Sequence, residues 1–260
     1  MTRAIPTWCR ADLALLAMLA GCSSAAHRTA DDPLEPFNRA VYKFNDVADR
    51  YAVKPVAKAY VTIIPQFART GVHNFFSNID DVVVTTNDLL QLKFTKAASD
   101  ATRVMANTLF GGLGLVDVAS KRGIPKHSED FGQTLGYWGV GSGPYLVLPL
   151  LGPSNLRDGP ARFVDTYFDP VWYISNVPER NVTVGLRLLD NRAALLPAER
   201  FLNQAAVDRY SFLRDAYMQR RVSLIYDGNP PKSELDDLED PGEGAAPEPL
   251  EVPLPLPSIR

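Results

Sequence analysis

Ser142 is the first residue to consider as a nucleophile, because it lies in the sequence GVGSGPY with a glycine on each side. The nucleophile elbow of serine hydrolases has the pattern G-x-S-x-G, which presents the serine on a sharp turn. Val140 and Pro144 occupy the two glycine positions here, so the pattern fails. We therefore expect no catalytic serine at this position.

The histidines are the candidate bases and metal ligands, and there are three of them: His27, His73 and His127. No histidine is combined with a second histidine and a carboxylate at metal-ligand spacing such as H-E-x-x-H. His73 lies in the apolar segment GVHNFF and His127 in the polar turn KHSED. We interpret them as surface or core residues, and we expect neither a metal site nor an enzyme.

The glycine-rich run GGLGLVD, which starts at Gly111, follows a predicted helix rather than a strand. It also lacks the full pattern of a dinucleotide-binding turn. A helix that ends with a glycine in the left-handed conformation explains the run more simply. We therefore expect no nucleotide cofactor.

Cys22 is the residue whose surroundings predict a definite reaction. Arg3 and Arg10 precede an apolar run at residues 13–20, and LAGC ends at Cys22. The run is too short to span a bilayer and is typical of a secretory signal peptide, here residues 1–21. A cysteine directly after two small residues predicts a bacterial lipobox, in which the thiol receives a diacylglycerol. This covalent lipid is the only attached group that we expect; the alternative is an ordinary cleavage site beside a cysteine.

Ser23 follows the cysteine where an aspartate would favour retention in the inner membrane, so we expect export to the inner face of the outer membrane. Residues 22–31 are small and polar and predict a tether. Residues 229–260 contain eight prolines and eight acidic residues, a composition that predicts a disordered tail. The remaining domain, 32–228, carries little net charge, so we expect no nucleic-acid partner.

The domain between tether and tail has the apolar periodicity of helices, and we predict an all-α fold. In the first helix, Asp32 is the predicted N-cap. One apolar face follows, formed by Leu34, Phe37, Val41, Phe44, Ala48 and Tyr51. We expect this face to be buried, and Asn38, which lies off it, to act in gating. Further helices are predicted at 65–76, 95–110, 155–168, 182–196 and 202–224, with a break or kink at Pro197 and a possible strand at IDDVVVTT.

The longest uncharged stretch runs from Phe131 to Leu156. It consists of two short apolar pieces, LGYWGV and YLVLPLL, joined by GSGP. Irregular backbone of this kind survives in a bilayer only where protein covers it or where it lines a cavity. Its aromatic residues favour a membrane interface. The alternative that composition leaves open is a buried, hairpin-like core segment of a soluble domain.

Four motifs resemble the VacJ/MlaA family of outer-membrane lipoproteins. They are DPLEPFNRAVYKFND, FFSNIDD, NTLFGGLGLVDVA and DFGQTLGYWGVGSGPYLVLPLLGPSNLRD. The resemblance extends from about Asp32 to about Tyr226 and agrees with the lipobox, whereas the tail departs from the family pattern.

The resemblance implies a ring-like helical lipoprotein embedded in the inner leaflet of the outer membrane, with irregular Gly/Pro-rich connections and a central amphipathic channel. Such proteins remove misplaced phospholipids from the outer leaflet and pass them to a periplasmic carrier, which maintains lipid asymmetry. Trimeric porins are the partners that the family implies. Two alternatives remain: a structural lipoprotein that braces a porin without moving lipid, and a periplasmic lipase that uses Ser142.

On this interpretation the uncharged stretch forms part of the ring and faces acyl chains on one side and the lipid path on the other. The residues that we predict to line this path or its gate are Asn38, Trp138, Tyr145, Leu146 and Leu148.

Overall fold

The structure is a computed structural model that describes residues 32–205 and 208–231. Within those ranges the chain forms nine α-helices and one two-stranded sheet. The helical class predicted from the sequence is therefore confirmed. The predicted signal peptide, Cys22, the tether and all but the first three residues of the predicted tail lie outside the described residues.

Helix α1 covers Glu35–Ala48, and a π-helical turn at Asp49–Val53 connects it to α2 at Lys54–Ile63. The predicted N-cap was wrong, because Leu34 occupies that position and no side chain caps the helix. Asp32 is instead fully buried, and its carboxylate accepts hydrogen bonds from Asn38 and Tyr210.

The predicted orientation of α1 was also wrong. Phe37 and Phe44 remain 45% and 56% exposed, whereas Asn38 is fully buried. The inward face of this helix packs against a strand edge, where an amide side chain can pair with backbone groups. Hydrogen bonding therefore decided which face of α1 is buried, and the apolar stripe was left at the surface.

Helix α3 covers Gln66–Leu90 and α4 covers Phe94–Phe110, and the two pack along each other. The sequence predicted that the first of them ends at Phe76 and suggested a strand at residues 79–86; both predictions were wrong. Phe76, Val84 and Asp88 are buried at helical spacing, so packing against α4 overrides the strand preference of the valine run.

The loop after α4 contains the glycines that were predicted to end this helix. Gly111 has an ordinary φ of −102°, whereas Gly112 and Gly114 adopt the left-handed conformation. A Cβ at Gly114 would lie only 2.8 Å from the Cβ of Asn78, so this loop needs glycine in order to approach α3. The short helices α5, at Val118–Lys121, and α6, at Phe131–Tyr137, follow.

Strands β1, Tyr145–Leu148, and β2, Gly152–Asn155, form an antiparallel hairpin in which Tyr145 pairs with Asn155. The helix predicted from residue 155 begins later, as α7 at Asp158–Asp165. Asn155 belongs to the strand, and its side-chain oxygen accepts a hydrogen bond from the backbone N–H of Asp158 at 2.7 Å. The end of the hairpin thus initiates the helix.

A 3₁₀ turn at Pro170–Tyr173 leads to α8, Val177–Ala205, and the last described helix is α9, Arg209–Ile225. Of the predicted break or kink at Pro197, the break was wrong, because α8 continues through this residue. Helix α8 packs against α2 and α3, whereas α9 packs against α6 and β2. Contacts between α3 and α6 join the helices around the hairpin to those around α3.

Candidate functional site

The distribution of polarity is inverted relative to that of most water-soluble proteins. Twenty of the buried described residues are polar or charged, and only twelve are hydrophobic. Large apolar side chains lie outside, among them Phe67, Phe110 and Leu150, which are 81%, 78% and 72% exposed. Exposed apolar area on this scale marks an interaction with a membrane or with another protein.

The buried charges are paired across helices. Arg103 of α4 is almost fully buried, and its guanidinium contacts Asp81 of α3 at 3.2 Å and Asp117 at 3.2 Å. The same group donates to the backbone oxygen of Ile124 at 2.7 Å. Removing one partner from such a pair typically costs 3–5 kcal/mol. These contacts join α3, α4 and the following loop through buried charged groups.

A cavity of about 460 Å³ lies between α3, the loop 126–130, α7, the 3₁₀ turn and α8, and we call it the central cavity. Its wall combines two kinds of residue. The charged and titratable residues are Asp80, Lys126, His127, Glu129, Asp130, Arg162, Asp165, Asp169 and Arg187. The apolar residues are Val83, Val84, Trp172, Val184 and Leu188. A wall of both kinds is suited to an amphipathic ligand.

Arg187 of α8 carries positive charge at the wall of the central cavity. Its guanidinium donates to Asp169 at 2.5 Å and also contacts Asp80 of α3. Burial raises the pKa of Asp169. The ion pairs fix the guanidinium between α3 and the start of the 3₁₀ turn, at the wall of the cavity.

Asp165 occupies another part of the same wall. Its carboxylate accepts hydrogen bonds from the Asn87 amide at 3.0 Å and from the backbone N–H of Phe131 at 3.0 Å. Burial raises its pKa to about 6 in spite of these two donors. Asn87 also accepts a hydrogen bond from Thr134 at 2.8 Å, which connects this wall to α6.

Close packing of charged groups explains why a glycine occupies position 132 in α6. A Cβ added at Gly132 would lie 2.5 Å from Asp158 Oδ1 and 2.8 Å from a nitrogen of Arg221. Arg221 itself is buried and contacts Asp130 at 2.5 and 2.9 Å and Asp158 at 2.8 Å. Arg221 therefore joins α9 to α6 and α7.

Asn38 and Tyr145 are the two predicted site residues that the structure brings together. The Asn38 amide donates to Asp32 at 2.8 Å and to the backbone oxygen of Tyr145 at 3.0 Å, and its oxygen accepts from Val147 N–H at 2.8 Å. Tyr145 is 1% exposed, and its ring packs against Tyr210 and Tyr217. Burial raises the pKa of Tyr145. Both residues therefore lie beneath the surface.

The other three predicted residues take no part in these hydrogen bonds. Trp138 follows α6, is 57% exposed, and donates its indole N–H to Leu90 O at 3.1 Å. Leu146 and Leu148 are half-buried on the face of β1 opposite Tyr145 and Val147. None of the five predicted residues lines the central cavity. The alternative of a buried hairpin for residues 131–156 fits only in part: Tyr145–Leu148 and Gly152–Asn155 form a hairpin, whereas Phe131–Tyr137 is helical and Leu150 and Leu156 are exposed.

The residues of the central cavity were not predicted from the sequence. One signal was present in FVDTYFDP, where Asp165 and Asp169, which both line the cavity, lie four positions apart. Carboxylates at this spacing share one side of a helical segment. The positive partner, Arg187, is distant in sequence, and only the fold places it opposite them.

Two further properties of the described residues concern metal ligands and membrane-spanning helices. No group of three or more potential metal ligands occurs among residues 32–205 and 208–231. In the same ranges, every helix is too short or too polar to cross a membrane.

The fold and the site together define a helical protein with an apolar exterior, a hydrogen-bonded polar interior and an amphipathic cavity. A family model described as MlaA lipoprotein matches residues 30–224, and this chain belongs to that family.

Individual relatives agree with this assignment. The chain is 37% identical over 237 residues to the intermembrane phospholipid transport system lipoprotein MlaA of Escherichia coli strain K12, covering 86% of this chain and 93% of that protein. It is 35% identical over 202 residues to the protein of the same name from Haemophilus influenzae, covering 76% and 80% of the two chains. A solved structure, reported as the structural basis for maintenance of bacterial outer membrane lipid asymmetry, matches with a TM-score of 0.66 and 34% identity. That match covers 76% of this chain and 99% of the other.

Proposed function

We propose that this protein removes misplaced phospholipids from the outer leaflet of the outer membrane through the central cavity and passes them to a periplasmic carrier. The observation that carries the proposal is an amphipathic cavity inside a body whose exterior is apolar. A phospholipid has a charged headgroup and apolar chains, so a path for it needs both kinds of wall. The names of the relatives support the same substrate class.

The exterior supports a position within one leaflet. Exposed apolar side chains are found on α1, α3, α4, α7 and α8, including Phe44, Phe67, Met105, Phe163 and Val182. Acyl chains can cover such side chains without the cost of contact with water. A ring-like helical body embedded in the inner leaflet of the outer membrane, anchored by lipid on Cys22, satisfies this surface.

The charged residues of the central cavity have distinct roles in this proposal. Arg162 and Arg187 attract the phosphate of the headgroup, whereas Asp80 and Asp169 hold Arg187 in place. The apolar side chains of Val184 and Leu188 contact the first segments of the acyl chains. In this proposal the protein is a passive path, and lipid moves through it down its own gradient of free energy.

The proposal includes two protein partners, one for the apolar exterior and one for the acidic tail. The apolar exterior can contact a trimeric porin within the membrane. The tail, with eight acidic and two basic residues, can steer a basic carrier towards the periplasmic side. The alternative, a lipoprotein that braces a porin without moving lipid, needs the exterior but not the cavity.

Two leucines on α8 allow a test that distinguishes lipid transport from the bracing of a porin. Leu188 lines the central cavity, whereas Leu195, two turns further along the helix, does not, and both side chains are 59% exposed. In cells that lack the native protein, the Leu188→Trp variant should fill the cavity and leave phospholipid in the outer leaflet. The Leu195→Trp variant should restore asymmetry.

The readout is the phospholipid accessible to an amine-reactive probe on intact cells, with porin co-purification measured in parallel. The proposal requires that Leu188→Trp retains the porin and loses asymmetry. If both variants retain the porin and restore asymmetry equally, the bracing function is favoured and transport through this cavity is contradicted.

A further inference from the structure

A second cavity, of about 300 Å³, lies where the corner between α2 and α3 packs against α8, and we call it the corner cavity. It shares no lining residue with the central cavity. One side consists of Gln66, Arg69, Thr70 and His73, which lie on one face of α3 at intervals of three and four residues. This polar stripe lies at the start of α3 and faces α8.

Arg69 supplies a positive charge that forms no ion pair with a carboxylate in the described part of the chain. Its Nε donates to the backbone oxygen of Ile64 at 3.1 Å, which fixes the guanidinium plane. Among the described residues, its two terminal nitrogens have no hydrogen-bond acceptor or ion-pair partner. Arg187 and Arg192, by contrast, each bind two carboxylates. Arg69 is thus available to an anion.

Asp190 supplies a negative charge in the same cavity. It is 5% exposed, and it contacts the Tyr60 hydroxyl at 3.3 Å and His73 Nδ1 at 2.9 Å. Asp190 and Arg69 line one cavity without forming an ion pair with each other. The corner cavity therefore presents separated charges of opposite sign, which is the arrangement that a zwitterion complements.

The start of α3 adds to the positive side. Pro65 occupies the N-cap position, and no side chain caps the helix, so the positive end of the helix dipole adjoins Gln66. The outer surface of the same corner is apolar, because Ile63 and Phe67 are 73% and 81% exposed. A ligand with a zwitterionic head and an apolar tail would contact both features at once.

We propose that the corner cavity binds the headgroup of a zwitterionic phospholipid of the phosphoethanolamine type, with the phosphate at Arg69 and Thr70 and the ammonium at Asp190. Its volume lies at the lower end of the range for small-molecule sites and suits a headgroup rather than a whole lipid. The acyl chains lie over Ile63 and Phe67. This inference rests on the proposed function and names the substrate class, at a site distinct from the central cavity.

The test uses the full-length lipidated protein, purified in detergent, and native mass spectrometry with short-chain phosphatidylethanolamine and phosphatidylglycerol. We expect the wild type to bind phosphatidylethanolamine more tightly. Arg69→Gln removes charge-assisted hydrogen bonds and should weaken binding of both lipids about tenfold. Asp190→Asn should weaken only phosphatidylethanolamine, so that the preference disappears. Arg122→Gln, at an exposed arginine outside the cavity, is the matched control.

Thr70→Glu tests the same site without removing a buried contact, because Thr70 is exposed on α3. Its added carboxylate should repel the phosphate of both lipids. If Arg69→Gln and Thr70→Glu bind lipid as Arg122→Gln does, or if Asp190→Asn keeps the wild-type preference, the proposal is overturned.

Two soluble probes separate a lipid site from a phosphate site. Inorganic phosphate and glycerophosphoethanolamine should compete weakly, because neither contacts Ile63 and Phe67. Full competition by inorganic phosphate would instead assign the cavity to free phosphate and overturn the lipid proposal. Failure of this inference would leave the transport result for Leu188→Trp unchanged, so the two proposals can fail separately.

Discussion

Asn38 and Asn45 lie two turns apart on α1 and together supply side-chain hydrogen bonds to the backbone of β1 and the residues after it, in addition to the pairing of β1 with β2. Asn38 pairs with the backbone oxygen of Tyr145 and the N–H of Val147, and Asn45 pairs with Leu148 O at 2.9 Å and Leu150 N–H at 2.8 Å. Seven helical residues rise about 10.5 Å and three strand residues about 10 Å, so the two spacings match. One amide on each of two turns thus fastens the hairpin to the first helix.

Asn38→Ala should destabilise the protein more than Phe37→Ala. The substitution leaves the buried Asp32 carboxylate, Tyr145 O and Val147 N–H each without one partner, and an unpaired buried group costs roughly 1–3 kcal/mol. Phe37 is 45% exposed, so its truncation removes less buried contact. Thermal unfolding in detergent measures the difference. A larger loss for Phe37→Ala would show that the apolar face of α1 carries the stability.

Gly132→Ala should disturb the charged cluster that joins α6, α7 and α9. The added methyl would lie within 3 Å of Asp158 and Arg221, and overpacking of this kind typically costs about 1–3 kcal/mol. Gly141→Ala is the control, since its Cβ would point into open space. We expect a lower melting temperature for the first variant alone. Equal melting temperatures would mean that the cluster shifts without cost.

The buried pair Asp88 and Asp100 makes stability depend on pH. Burial, followed by the hydrogen bond to Asp100, raises the pKa of Asp88 to about 7, because two carboxyl groups can share a hydrogen bond only when one is protonated. Asp100 also contacts His127 at 2.8 Å. Glu129 raises the pKa of Asp88 further and Lys96 lowers it.

The sign follows from proton binding in the two states. The unfolded carboxyl has a pKa of 3.8, so between about pH 4 and pH 7 the native state binds more protons and stability falls as pH rises. Asp165, whose pKa is raised to about 6, contributes in the same direction. Asp88→Asn should therefore raise the melting temperature at pH 8 more than at pH 5. A difference that does not change with pH would contradict the shared proton.

Cys22→Ala should abolish labelling of the protein by palmitate, because Cys22 is the only thiol that remains after cleavage of residues 1–21. Partial membrane association should persist, since the apolar exterior supplies a second attachment. Metabolic labelling and membrane fractionation measure the two effects. Retained labelling in this variant would exclude the lipobox interpretation.

The sequence predicted the helical class because the apolar residues recur with helical period. It mispredicted the orientation of α1 because apolar faces were expected to point inward, as they do in water. Phe37 and Phe44 follow the period but lie outside, and Asn38 lies inside. Periodicity identifies a helix and its two faces, whereas the surroundings decide which face is buried.

The central cavity was missed for a different reason. Its wall combines residues from α3, α7, α8 and two connections, and no local pattern joins Asp80 to Arg187 across 107 positions. The uncharged stretch drew attention to residues 131–156, yet Tyr145 is a buried packing residue and Trp138 lies at the surface. Lack of charge indicated the hairpin and its apolar surroundings, and the five residues predicted to line the lipid path lie outside the central cavity.

Photo-crosslinking from the wall of the central cavity is the direct test of whether phospholipid passes through it. A photoreactive side chain at position 184, which is half-buried in this wall, should capture phospholipid in cells, and one at the buried position 145 should capture only protein. Adding Leu188→Trp should abolish lipid capture at position 184. It should leave capture intact at position 67 on the exposed apolar surface. Undiminished lipid capture at position 184 in the Leu188→Trp variant, or none there in the parent protein, would contradict passage of phospholipid through this cavity.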